Sequence, residues 1–132
     1  MSLFNGNEGA FLSTDEANAL RDTYQQRKKQ QNIPVEDTVR SEFFGINNIK
    51  QLLDTPGCVG IRVYHAKQRE DINGNNHLAP RVVLVGVDAN GDDLVSEETD
   101  DMKDMPLGVG GSFLGRGPVC PPECSGGPKG RV

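Results

Sequence analysis

Apolar positions recur along this chain in blocks separated by polar links, and their period changes near the middle. Ser13-Thr14-Asp15-Glu16 reads as a capping box, in which Ser13 accepts from a first-turn amide and Glu16 reaches back. Beyond it Ala17, Leu20 and Tyr24 return at spacings of three and four, while Arg21, Asp22, Gln25 and Gln26 take the opposite face. The spacing predicts a one-sided helix over 14–31, ended by Asn32 and Pro34 and resting on another layer. Arg27, Lys28 and Lys29 fall at its end, where cations suit the helix dipole. Phe43 and Phe44 precede a second run of Ile46, Ile49, Leu52 and Leu53, which predicts a short helix over 46–54 that starts after Gly45 and stops at Pro56-Gly57. The two rings are read as core, with one of them free to stand at an edge.

From Cys58 onward the period shortens to two. Val59, Ile61 and Val63 face one way and Arg62 the other, which predicts a strand over 58–65. A second strand over 81–88 is apolar on both faces except at Gly86, as expected of a central strand. Asn73-Gly74 in the polar link is a turn signal, so the two strands can extend toward it as a long hairpin. Ala89-Asn90-Gly91 makes another turn, and Asp93, Leu94 and Val95 are expected to return as a third strand. Helix, helix and meander in that order predict an α+β fold, with two N-terminal helices packed on one face of a small antiparallel sheet of about three strands. The expected domain spans 1–105, and 106–132 forms an irregular Gly/Pro/Cys-rich tail holding eight of the 16 Gly and five of the eight Pro.

Composition changes this picture at three points. The 132 residues carry a net charge of −5, which argues against a nucleic-acid partner because duplex binding needs clustered Lys and Arg. Residues 92–104 hold seven acids and one Lys, an acidic run that reads as a solvated sheet edge or a surface for a cation or a basic partner. No apolar run approaches the ~18 residues of a membrane span, so no membrane association is expected and the chain is placed in the cytoplasm.

Candidate chemistry centres on the three cysteines. Cys120-Pro121-Pro122-Glu123-Cys124 can close a small disulfide or supply two metal ligands, and its prolines limit the conformations to be frozen. A structural zinc needs four ligands, and Cys58, His65 and His77 are the remaining soft candidates. Cys58 and His65 are seven residues apart along one strand, about 23 Å and on opposite faces, so they cannot form a nucleophile–base pair within one chain. The turns at 71–75 and 88–92 superficially resemble calcium loops, but the EF-hand register puts Gly86 first and Asp93 eighth. They read as hairpin turns. No nucleophile elbow, phosphate-binding loop or zinc-protease motif is present in the sequence, and no cofactor is implied.

The chain also resembles a family of small uncharacterised bacterial proteins. The likeness is carried by the Ser-x-x-Glu-Ala opening of the first helix, Phe43-Phe44-Gly45, the block from Pro56 to Tyr64, Leu84-Val85-Gly86-Val87-Asp88-Ala89-Asn90-Gly91 and the Cys120-to-Cys124 motif. It implies that Cys58 and the tail cysteines belong to a shared layout, and it implies no activity. Three readings follow. The first is a binding or regulatory module with a protein partner or self-association. The second is a thiol-based redox or metal site on Cys120 and Cys124, with Cys58 as a third member. The third is a small enzyme using Arg62, His77 and acids near Asp88.

Overall fold

The structure is a computed structural model that describes residues 2–33, 41–72, 75–95 and 112–120. It is α+β, with the element order α1 (Thr14–Gln30), β1 (Ser41–Glu42), α2 (Ile46–Leu53), β2 (Cys58–Ile72), β3 (Asn75–Asp88), β4 (Phe113–Leu114) and β5 (Val119–Cys120). The strands make a three-stranded sheet in the order β2-β3-β4 and a two-stranded antiparallel sheet of β1 and β5. No helix among the described residues is long and apolar enough to cross a membrane.

Contacts divide the chain into two compact units. The first comprises Met1–Glu8, Phe44–Ala66 and Arg81–Arg116, and the second Gly9–Phe43, Lys67–Pro80 and Gly117–Val132.

In the first unit, the β3 residues Leu84, Val85 and Val87 form the core together with Leu52 of α2, and Val85 is 0% exposed. The central position expected for 81–88 is therefore observed, since β3 has neighbours on both edges. β4 pairs antiparallel with β3, Leu84 opposite Leu114 and Val85 opposite Phe113. This corrects the expectation of a third strand at 93–95. That segment makes one bridge, Asp93 opposite Val87, and one further bond from the Leu94 amide to the Gly86 carbonyl at 2.8 Å. The Val95 amide then turns back to the Asp93 carbonyl at 3.1 Å, which ends the ladder. The strand partner comes instead from the stretch expected to be irregular.

In the second unit, α1 has the predicted caps. The Glu16 amide donates to Ser13 Oγ at 3.1 Å, and the Ser13 hydroxyl donates to Glu16 Oε1 at 3.0 Å, so Glu16 reaches the capping side chain. At the other end Asn32 adopts φ 62°, the Ile33 amide bonds the Lys28 carbonyl and the Asn32 amide bonds the Lys29 carbonyl. That is a Schellman stop with Asn in the left-handed position. None of the residues of α1 is buried, and Leu20 is 63% exposed. Caps and dipole-matched charges stabilise this helix, together with local side-chain contacts such as Lys28 over the Tyr24 ring, 5.6 Å from its centroid. Phe43 is 68% exposed and is the ring left at an edge, while its amide donates to the Pro118 carbonyl at 2.8 Å beside the β1–β5 pair.

Candidate functional site

Among the described residues a concave site lies in the first unit, where the N-terminal segment faces the start of β2. Leu3 and Phe4 donate their amides to the Ala89 carbonyl at 2.7 and 3.0 Å, which anchors the segment to the 88–92 loop. That loop is built by Asp88, whose Oδ1 accepts from the Asn90 and Asp92 amides at 3.0 and 2.9 Å, and by Gly91 at φ +91°. It is the hairpin turn expected from Asn90-Gly91, with positive φ supplied by glycine.

Between the segment and the strand lies a cleft of about 320 Å³. Phe4, Gly6 and Glu8 line one part of it, residues 59–62 of β2 another, and Val87 completes it. The apolar share comes from Phe4, Val59, Ile61 and Val87, and the charged share from Glu8 and Arg62. Glu8 folds its own loop by accepting from the Asn5 and Gly6 amides, each at 2.9 Å. Backbone amides, that of Asn5 foremost, hold its carboxyl below the ordinary carboxylate range. It is anionic at neutral pH.

Arg62 and Tyr64 are two apart on β2 and so share a face. Both reach Asp93: Arg62 Nη1 donates to Oδ1 at 2.6 Å and the Tyr64 hydroxyl to Oδ2 at 2.5 Å. Arg62 Nη2 also donates to the Gly91 carbonyl at 3.1 Å. Hydrogen bonding to Tyr64 and then the Asp93 carboxylate hold the guanidinium above its ordinary pKa. The acidic stretch expected at a sheet edge therefore supplies, in Asp93, the counter-ion of the β2 arginine. Its residues from 96 onward lie outside the described set.

The residues singled out for thiol and metal chemistry come from several elements. Cys58 is a half-buried free thiol whose Sγ donates to the Gly60 carbonyl at 3.2 Å. His65 is exposed further along β2, and the side chain of His77 lies outside the described residues. Cys120 is 4% exposed in β5 and is disulfide-bonded, while Cys124 lies outside the described residues. Among the described residues no group of three or more His, Cys, Asp or Glu stands together to hold a metal. Of the residues named for an enzyme, Arg62 is committed to Asp93 and Gly91, and Asp88 to its own turn. The role of Glu8 had no signal in the pattern of the chain, because its partners are backbone amides of a non-repetitive loop.

The thiol count gives a direct test. With three cysteines, Cys58 free and Cys120 in a disulfide, alkylation in denaturant is expected to add one group before reduction and three after. Three additions without reduction, read by intact-mass spectrometry, would remove the disulfide from the account.

No family model matches the chain, and neither a curated protein nor a solved structure matches it.

Proposed function

We propose that the chain is a small binding module whose site is the cleft between the N-terminal segment and β2. One observation carries this reading: the cleft is lined chiefly by apolar groups, and both of its charged side chains are already held by the protein. Pockets of about 300 Å³ and upward with an apolar lining and a few fixed polar groups are the usual form of small-ligand sites. Arg62 is neutralised by Asp93, so the uncompensated charge at the cleft is the Glu8 carboxylate. The ligand class that suits this balance has an apolar body and an amine, with Phe4 among the apolar lining. The site is equally able to take an apolar side chain next to a lysine on a peptide.

Phenethylamine is expected to shift backbone amide resonances of residues 4–8 and 59–62, and phenylacetate, its carboxylate counterpart, is not. Gly60→Leu provides the control: a Cβ there meets nothing within 4 Å, so the side chain can enter the cleft without moving backbone. The shifts should vanish in this variant. Equal responses to amine and carboxylate, or none to either, would sink the reading. Because the carboxyl of Glu8 titrates low, the amine response should persist on mild acidification and fade only as pH falls through that lowered value.

A second reading, thiol-based redox chemistry at Cys120 and Cys124, is favoured by the disulfide at Cys120. Burial of Cys120 in a paired strand argues for a structural bond over an exchanging one. The likeness to the family of small bacterial proteins belongs to the same proposal and rests on the sequence blocks that carry it. The packing of helices on one face of the sheet is supported for α2, whose Leu52 carbonyl oxygen would stand 3.1 Å from a Cβ at Gly86.

A further inference from the structure

The cleft holds two charged side chains whose hydrogen-bonding capacity is not used up. Arg62 stands in its wall, with 32% of the side chain exposed. Asp93, Gly91 and Tyr64 take at most three of the guanidinium's five N–H groups, so at least two remain to donate. Glu8 is in the complementary state. Its carboxylate oxygens each accept one backbone amide, from Asn5 and Gly6, which leaves each of them a further acceptor site. A ligand that satisfies both groups carries an ammonium for Glu8, a hydrogen-bond acceptor for Arg62 and an apolar group for Phe4, Val59, Ile61 and Val87.

Charge decides what kind of acceptor this is. Asp93 neutralises Arg62, so the Glu8 carboxylate is left uncompensated. A ligand carboxylate beside Arg62 would stand against Asp93 and Glu8 together, two anions against one cation. A neutral carbonyl oxygen accepts from the guanidinium without that repulsion. An ammonium, an apolar side chain and a carbonyl joined through one carbon are the first residue of a peptide. We infer that the cleft captures the free N-terminus of a peptide whose first residue is apolar, its α-ammonium at Glu8 and its first carbonyl at Arg62. The size of the cleft suits a chain end. Its 320 Å³ lies at the low end of the ~300–1,000 Å³ usual for ligand pockets, room for a terminal residue and not for a segment running through. A lysine side chain would serve Glu8 as well, but its ammonium has no carbonyl next to it and leaves Arg62 without an acceptor. The inference rests on the amine reading of the cleft and adds to it the group beside the amine.

Titrations of the full chain, followed by amide resonances, give dissociation constants for a ligand series. Phenylalanyl-glycinamide is expected to bind at least about tenfold more tightly than phenethylamine, the effect of one added hydrogen bond to a charged group. Acetylation of its amine should abolish the response. Free phenylalanine, with a carboxylate in place of the peptide carbonyl, should bind no better than phenethylamine. Arg62→Lys keeps a cation beside Asp93 but gives up the planar fork of donors. In this variant the advantage of the peptide should fall to about twofold or less, with the phenethylamine constant unchanged within about threefold. The wild-type series does not depend on the variant, whose amide spectrum will show that it is folded. A peptide that binds no tighter than phenethylamine, an acetylated peptide or free phenylalanine that binds as tightly as the peptide, or an advantage that survives Arg62→Lys would each overturn the inference. So would N-acetylphenylalanyl-lysinamide binding as tightly as phenylalanyl-glycinamide. Where phenethylamine still binds, these outcomes leave the amine site standing; no response to phenethylamine removes both.

Discussion

Replacing Gly117 with alanine is expected to destabilise the protein by about 3 kcal/mol, the range of substitutions that force backbone apart. A Cβ at this position would fall on the Phe43 carbonyl oxygen, with the Phe43 carbonyl carbon at 3.0 Å and Glu42 Cγ at 3.2 Å. Two of these three atoms are backbone, so no rotamer change relieves the clash. The strands must separate instead. Separation puts at risk the Phe43 amide to Pro118 carbonyl bond at 2.8 Å and the Gly117 amide to Glu42 Oε2 bond at 2.9 Å. It also disturbs the register that sets Ser41 opposite Cys120 and Glu42 opposite Val119. Each lost bond contributes about 1 kcal/mol, more where the acceptor is charged. Gly115→Ala is the matched control, since a Cβ there comes no nearer than 4.0 Å to its neighbours. Urea unfolding of the two variants should differ clearly in midpoint. Equal midpoints would show that the β1–β5 pair does not contribute to global stability.

Gly86→Val should cost a similar amount, about 2–4 kcal/mol for overpacking a buried site. Gly86 is buried in the central strand, and a Cβ there meets Cys58 Sγ at 3.1 Å and the Leu52 carbonyl oxygen at 3.1 Å. The first neighbour is a side chain that can turn; the second is the last turn of α2 and cannot without moving the helix. Gly86→Ala therefore separates the two contributions. Its cost should fall when Cys58→Ala is added, by the part due to sulfur, and the remainder reports the helix carbonyl. A strictly additive double variant would mean that Cys58 does not pack on Gly86. This gives the half-buried thiol a packing role without calling on its reactivity.

Local chemistry explains why so many elements were legible in the chain. Ser13 and Glu16 cap α1 because a hydroxyl and a carboxylate three residues apart satisfy first-turn donors whatever lies around them. Gly45 and Pro56 bracket α2, and the alternation from Cys58 to Val63 belongs to β2 as observed. Asn90-Gly91 makes its turn because glycine accepts φ +91° at little cost. The expected extension of the two strands is seen in β2 reaching Ile72 and β3 beginning at Asn75, while Asn73 and Gly74 lie outside the described residues.

What escaped is non-local. Phe113 and Leu114 sit among glycines with no period of their own, yet they complete the sheet because β3 presents an open edge opposite Leu84 and Val85. Val119 and Cys120 become a strand because Gly117 lets the chain approach Phe43 closely enough to pair with Ser41 and Glu42. Asp93, which alternation placed in a strand, is held by Arg62 and Tyr64 some 30 positions earlier. The cleft is assembled in the same way, from a loop at Glu8 and a strand at Val59 that sequence spacing does not connect. Caps, turns and strand alternation were thus written in neighbouring residues, because each depends on hydrogen bonds or side-chain directions within a few positions. Which segments pair, which glycines must be glycine and where a carboxylate finds its cation were decided by tertiary structure, because those contacts exist only after distant parts of the chain have met.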